Sequence, residues 1–73
     1  MFKKNGRALA MPANEMNGAF YANDAERVAD SGYGTVTAIA NDGLHGLIVT
    51  VKLDKNGRKV ERYVKYGEVS SAE

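Results

Sequence analysis

An Asn-Gly pair, Asn56-Gly57, stands between two runs of alternating apolar and polar residues at positions 47–54 and 59–66. Such a pair between alternating runs is the strongest short-range signal of a β-hairpin, because both residues tolerate the positive φ angles of a type I′ turn. The stretch 34–66 also holds almost every β-branched residue of the chain. The pair therefore predicts an antiparallel hairpin in the C-terminal half.

The register of the predicted hairpin depends on the length of its loop. A two-residue loop sets Lys52 opposite Glu61 and Asp54 opposite Lys59, and each opposite-charge pair is favourable by roughly 0.2–1 kcal/mol. A four-residue loop would instead set Lys52 opposite Lys59, and a three-residue loop would mix residues of the core and solvent faces. We therefore expect the two-residue loop.

A further strand is predicted at 34–40, and its connection to the hairpin has two interpretations. A two-residue turn at 42–43 is one of them. A six-residue loop at 41–46 is the other, and we prefer it because it keeps a glycine out of a strand interior and pairs Ile39 with Ile48. Both alternatives place the same face of the strand inward.

The predicted fold is mainly β (β-rich α+β), with a three-stranded antiparallel meander at about 34–40, 47–54 and 59–66. Three strands need a cover, which the N-terminal third must supply as a packed helix or as another strand that curls the sheet into a small SH3-like barrel. The residues expected on the buried side are Val36, Ala38, Leu47, Val49, Val51, Leu53, Val60, Val64 and Tyr66.

Two short elements are predicted in the N-terminal third. Residues 7–11 alternate weakly and are typical of a short strand. A short helix is predicted near 24–31, because Asn23 or Asp24 can cap its start and Gly32 stands where a helix ends. The apolar residues expected to cover the sheet are Leu9, Met11, Met16, Phe20, Tyr21 and Val28.

Length and composition bound the class of protein. The 73 residues make one small domain, predicted at 8–69, with a flexible basic arm at 1–7 and a frayed tail at 70–73. The chain has no cysteine, which favours a reducing compartment. No apolar run approaches the ~20 residues of a membrane span. We therefore expect a cytoplasmic protein with no membrane partner.

Enzyme chemistry is poorly supported by the sequence. The single histidine, His45, lies in a predicted turn without an orienting partner, and we expect it to be solvated. The carboxylates of Asp24, Glu26 and Asp30 are more typical of helix capping and solvation. We therefore expect a non-enzymatic protein with no catalytic residue, no cofactor and no metal site.

A protein-binding module is the preferred functional interpretation. In the preferred register, a contiguous exposed patch of the sheet contains Ile39, Ile48, Thr50 and Tyr63. A core this small also makes burial of further surface by self-association natural, so a homodimer is possible alongside a different protein partner.

Nucleic-acid binding is the alternative interpretation. Cations suit phosphate contacts and aromatic faces suit unstacked bases. Asp54 and Glu61 neutralise part of the basic surface, and the formal net charge is only +1. The candidate residues for DNA or RNA are Lys52, Lys55, Arg58, Lys59, Arg62 and Lys65, assisted by the basic arm.

The segment Val36-Thr37-Ala38-Ile39 followed by Gly43-Leu44-His45-Gly46-Leu47-Ile48 resembles the KOW motif of ribosome- and transcription-associated SH3-like barrels. In that motif a hydrophobic strand leads through a glycine loop to a second strand. The loop here is shorter, and Asp42 stands where the motif carries a basic residue. We carry over no function from the resemblance.

Overall fold

The structure, a computed structural model, describes residues 1–13 and 23–73. The described elements are β1 (Arg7–Ala10), α1 (Asp24–Ala29), β2 (Gly32–Asn41), β3 (Leu47–Leu53), β4 (Lys59–Tyr63) and β5 (Val69–Ser71). The strands form one five-stranded antiparallel sheet in the order β4-β3-β2-β1-β5. The mainly β fold and its central meander are thereby confirmed, and the strand order is compatible with an SH3-like barrel.

The predicted register of the β3–β4 hairpin is wrong by two positions. Lys52 lies opposite Lys59 and Val51 lies opposite Val60, which is the register of a four-residue loop at 54–57. A shift of two positions leaves every side chain on its expected face, because side chains alternate with a period of two. The hydrophobic pattern is therefore equally satisfied by both registers.

The loop geometry explains why Asn-Gly does not form a type I′ turn here. Gly57 has a φ of +73°, whereas Asn56 is not among the described residues with positive φ. The Leu53 carbonyl accepts a hydrogen bond from the Gly57 N–H at 2.8 Å, and the Leu53 N–H donates to the Arg58 carbonyl at 2.8 Å. Only the second residue of the pair uses the left-handed conformation, as in longer loops built around a type I turn.

A β-bulge in β2 changes which side chains face outward. Val36 lies opposite Val51, as in the preferred long-loop alternative, but the register then shifts by one, so that Ile39 lies opposite Val49. One extra residue in a strand moves the following side chains to the other face. Ala38, predicted to be buried, is consequently exposed, and Ile39 leaves the face predicted for it.

The core is small and aliphatic, and Phe2 and Val64 pack against it. Two further predictions of burial differ from the structure: Leu47 remains 43% exposed and Tyr66 is half-buried. Of the expected cover, Val28 and Met11 are exposed and Leu9 is half-buried, whereas positions 16, 20 and 21 lie outside the described residues. The buried core cluster consists of Ala8, Ala10, Val36, Val49, Val51, Leu53, Val60 and Val69.

Helix α1 begins as the sequence predicts and ends earlier. The Asn23 side chain accepts a hydrogen bond from the Glu26 N–H at 2.9 Å, which caps the first turn. Asp30 already has non-helical backbone angles (φ −91°, ψ 43°), so the helix stops at Ala29. No helix in the described part of the chain is long and apolar enough to cross a membrane.

Both termini contact the sheet. The Asn5 N–H donates to the Val36 carbonyl at 2.7 Å, and the Val36 N–H donates to the Gly6 carbonyl at 2.8 Å, contacts that the prediction of a flexible arm at 1–7 did not include. The tail predicted to fray at 70–73 instead contributes to β5, in which Ser71 pairs with Ala8 of β1. The chain therefore uses its last residues to extend the sheet beyond β1.

Candidate interaction face

The side of the sheet opposite the core is called here the outer face, and cross-strand pairing arranges its residues in rows. Residues directly opposite each other in antiparallel strands share a face, with Cβ atoms about 4.5–5.5 Å apart. The basic row consists of Arg7, Thr35, Lys52 and Lys59; the middle row of Ala38, Thr50 and Glu61; and the apolar row of Ala40, Ile48 and Tyr63.

The apolar row joins an exposed alanine to two half-buried large side chains, Ile48 and Tyr63. The Tyr63 hydroxyl donates a hydrogen bond to Oδ2 of Asp42 at 2.9 Å. This bond and partial burial raise the pKa of Tyr63, so the phenol stays neutral. The tyrosine ring is thus held in a defined orientation at the edge of the outer face.

Tyr63 forms an aromatic cluster with His45 and Tyr66. The ring centroids of Tyr63 and His45 are 5.4 Å apart. Those of Tyr63 and Tyr66 are 5.7 Å apart, and these two rings meet nearly edge to face, with an interplanar angle of 77°. His45 Nδ1 lies 2.8 Å from the Tyr66 hydroxyl oxygen. His45 is therefore half-buried and hydrogen-bonded, and the expectation of a solvated histidine is wrong.

This cluster was missed because its members are distant in sequence. His45 and Tyr66 are separated by 21 positions, and so are Asp42 and Tyr63. The β3–β4 pairing and the turns at its end bring these positions together. The local signal in the sequence is that the three rings and Asp42 all fall at strand ends or in turns, where side chains from consecutive strands converge.

The basic row begins with a bidentate ion pair. The Arg7 guanidinium donates to Oδ1 of Asp54 at 2.9 Å and to its second carboxylate oxygen, and it also donates to the Thr35 hydroxyl at 3.1 Å. The hydrogen bond from Arg7 lowers the pKa of the Asp54 carboxyl, and the same bond raises the pKa of Arg7. Asp54 is thereby committed to Arg7 and does not pair with Lys59.

The other end of the basic row holds two lysines directly opposite each other. The hydrogen bond between Leu53 and Arg58 makes the adjacent Lys52–Lys59 pair a non-hydrogen-bonded one, the type in which side chains approach more closely. Both lysines are exposed, and neither forms an ion pair with a residue that the structure describes. Like charges placed directly opposite destabilise a sheet.

Arg62 is a structural residue rather than part of a basic surface. It is only 2% exposed. Its guanidinium donates to the carbonyl of Met11 at 2.8 Å, to that of Glu61 at 2.9 Å and to that of Asp30. It therefore ties β4 to the end of β1 and to the end of α1, and it cannot contact a nucleic acid.

The remaining candidate nucleic-acid residues are scattered. Arg58 lies 3.3 Å from Oδ1 of the buried Asp30. Lys65 lies 6.0 Å from the centroid of the Tyr66 ring, and Lys55 is exposed in the β3–β4 loop. Of the six residues proposed from sequence, the structure brings only Lys52 and Lys59 together on the outer face.

Of the four residues proposed from sequence for protein binding, three share the outer face. Ile48 lies opposite Tyr63, and Thr50 follows two positions after Ile48 in the same strand. Ile39 is the exception, because the bulge places it opposite the buried Val49. Ala38 and Ala40 take its place beside Thr50 and Ile48.

Within residues 1–13 and 23–73, no group of three or more histidine, aspartate and glutamate side chains is placed to hold a metal ion. Comparison with protein-family models finds no match to this chain, and searches among curated proteins and among solved structures find no similar protein.

Proposed function

We propose that this domain acts by binding a partner protein through the outer face, with the apolar row as the centre of the contact. The observation that carries the proposal is the row itself, in which Ile48 and Tyr63 lie side by side beside Ala40. Tyrosine is favoured at interfaces because it combines a large apolar ring with a polar end.

The surroundings of the apolar row suit a docking surface. The short side chains of Ala38 and Thr50 lie next to it and leave room for a side chain of the partner. The bond to Asp42 and the packing against His45 orient Tyr63 before any partner arrives. An anchor that is already ordered loses little conformational entropy on binding, which favours affinity.

Nucleic-acid binding is the second candidate, and the basic row favours it. Tyr33 lies two positions before Thr35 in β2, on the same face, and is 58% exposed. Such an exposed aromatic ring on the same face as Lys52 is suited to stacking on a base. We rank this candidate second because Arg62 is buried and Arg58 pairs with Asp30.

We propose that the domain acts in the cytoplasm and without catalysis. The absence of cysteine fits a reducing compartment. A second copy of the chain is a possible occupant of the same face, and sedimentation analysis of Ile48→Asp beside the wild-type protein distinguishes a homodimer from a complex with a different protein.

The test of protein binding compares two matched substitutions. The immobilised domain captures partners from the cells that make it, and the affinity of each purified partner is then measured by calorimetry. Ile48→Asp places a charge in the centre of the apolar row and should weaken binding by at least about tenfold, or about 1.4 kcal/mol. Val28→Asp is the control, since Val28 is an exposed aliphatic residue on α1, outside the outer face.

Retention of every partner by Ile48→Asp would contradict the proposal. Equal loss with Val28→Asp would also contradict it, because a general change in charge or stability would then explain the result.

A further inference from the structure

The charges of the outer face specify the chemistry of the partner. We propose that the partner segment is an extended acidic peptide, with one apolar side chain on the apolar row and a carboxylate between Lys52 and Lys59 of the basic row. This inference rests on the proposed function and adds to it the composition and the spacing of the bound segment.

The basic row offers an unsatisfied site for an anion. Lys52 and Lys59 face each other with no ion-pair partner among the described residues, and Asp54, two positions after Lys52, is held by Arg7. A carboxylate placed between the two lysines would replace their repulsion with two attractions. The gain arises only on binding, because the free domain keeps the like-charge pair.

The distance between the rows sets the spacing in the partner. Ile48 and Lys52 are four positions apart on β3, and a strand rises about 3.3 Å per residue, so the apolar and basic rows are separated by about 13 Å. A peptide lying along β3 in an extended conformation covers this distance with four residues. An apolar residue and an acidic residue at positions i and i+4, in either chain direction, therefore match the two rows.

The middle row adds a restriction between these two positions. Glu61 lies there opposite Thr50, so an acidic side chain at position i+2 of the peptide would meet a like charge. We expect an uncharged or basic residue at that position. The pattern is therefore apolar at position i, not acidic at i+2 and acidic at i+4, with one position between successive contacts.

The same arrangement disfavours a nucleic acid. The basic row crosses four strands, a width of about 14 Å at roughly 4.8 Å per strand. The cations do not continue along the strands, because Glu61 lies toward the apolar row and Asp54 lies two positions beyond Lys52. A backbone with one negative charge per nucleotide would find no further lysine or arginine on the outer face of β3 and β4, both of which the structure describes, whereas a peptide carries its charge at one position.

The experiment selects peptides from a random library about 12 residues long, displayed on phage, on the immobilised wild-type domain. We expect enrichment of peptides with an apolar and an acidic residue four positions apart. The affinity of a selected synthetic peptide is then measured by fluorescence anisotropy for the wild-type domain and for Lys52→Glu, Lys59→Glu and Ile48→Asp. Each substitution should weaken binding about tenfold, the scale of a lost close charge pair or anchor.

Two controls accompany these variants. Lys4→Glu makes the same change of charge at an exposed residue outside the outer face and should leave the affinity unchanged. Circular dichroism checks the fold of each variant, and Lys52→Gln and Lys59→Gln replace any glutamate variant that does not fold.

Several results would overturn the inference in distinguishable ways. Enriched peptides without acidic residues, bound equally by the lysine variants but weakly by Ile48→Asp, would overturn the acidic partner and leave protein binding intact. Enrichment of no peptide would count against both. Tight binding of a single-stranded oligonucleotide of about 12 nucleotides, weakened by Lys52→Glu, would assign the basic row to nucleic acid instead.

Discussion

At the scale of single residues, the Lys52–Lys59 pair carries opposite consequences for folding and for binding. The two ammonium groups repel in the free domain, since the side chains lie directly opposite on exposed positions. Replacing one lysine with an acid should therefore stabilise the fold while it weakens a complex with an acidic partner. If a lysine served only the stability of the fold, its replacement by an acid would not raise the stability while lowering the affinity for a partner.

The first prediction concerns the stability of Lys59→Glu. The new carboxylate would lie directly opposite Lys52, nearer than Glu61, which is two positions along the same strand. We expect the free energy of unfolding to rise by about 0.2–1 kcal/mol in urea titrations at low salt, and the gain to shrink at high salt. Lys4→Glu should show no such gain. A lower stability of Lys59→Glu at low salt would refute the close like-charge pair.

A second prediction follows from the carboxylates around Arg7. The hydrogen bond from Arg7 lowers the pKa of Asp54, and the bond from the Arg7 backbone N–H together with Lys3 lowers the pKa of Glu73. A carboxyl whose pKa is lower in the folded state stabilises the fold above its unfolded pKa, and this contribution is lost as the pH falls through the folded pKa.

We therefore expect urea midpoints to be constant near neutral pH and to fall below about pH 4, where these groups take up protons. The double substitution Asp54→Asn with Glu73→Gln should reduce this dependence on pH. The same slope in the wild-type domain and the double variant would show that other groups cause the acid sensitivity.

At the scale of elements, the β3–β4 loop is the best place to test the register. Gly57 has a φ of +73°, and a Cβ atom added to it would meet only the end of the Lys52 side chain, at 3.9 Å. The cost of Gly57→Ala is therefore backbone strain, about 1–2 kcal/mol for a left-handed residue other than glycine. Asn56 needs no left-handed conformation in this loop, so Asn56→Ala should lose only its hydrogen bond to the Arg58 N–H.

The third prediction is thus a larger fall in stability for Gly57→Ala than for Asn56→Ala. Chemical denaturation of the two variants measures the difference. In a type I′ turn both positions would have positive φ, and the two substitutions would then cost similar amounts. Cross-strand NOEs between Lys52 and Lys59 give an independent measurement of the same register.

Strands β1 to β4 and the helix could be predicted from local patterns, whereas β5 and the registers of the strands could not. The Asn23 cap and the alternating runs fix where elements begin and which residues face inward. A register shift of two positions preserves that alternation, so the register was inferred from cross-strand charge pairs. That inference was wrong because Asp54 pairs with Arg7, 47 positions away in sequence, and not with Lys59.

The candidate site was partly predictable for the same physical reason. The two registers of the hairpin differ by two positions, so both place the same three residues on one face: Ile48, Thr50 and Tyr63. Their placement on a common face was therefore predicted correctly although the register was wrong. The bulge between Val36 and Ala38 has no signal in the alternation of β2, and it removes Ile39 from that face. The basic row could not be foreseen, because it depends on three strand pairings at once.

At the scale of the whole molecule, Arg62 connects parts of the chain that no strand pairing joins. Its guanidinium contacts the carbonyls of Met11, after β1, and Asp30, after α1. A buried side chain with several hydrogen bonds is costly to remove, because each carbonyl left behind has lost its partner away from water. A domain of this size has only a few kcal/mol of stability in total, so one such residue decides whether it folds.

The last prediction compares Arg62→Met with Arg58→Met. Methionine keeps much of the volume at position 62 but leaves the carbonyls of Met11 and Asp30 without the guanidinium. Since each buried acceptor that loses its partner costs about 1–3 kcal/mol, we expect a loss of at least about 2 kcal/mol in urea denaturation. The Arg58 side chain is 65% exposed in its single ion pair with Asp30, so the same substitution there should cost less than at position 62. Arg62→Lys should rescue only part of the loss, because an ammonium group is not planar and cannot reach several separate carbonyls in a fixed fork. Similar costs at positions 58 and 62 would mean that Arg62 acts as an ordinary surface cation, and Arg62 would then return to the set of residues able to contact an anionic partner.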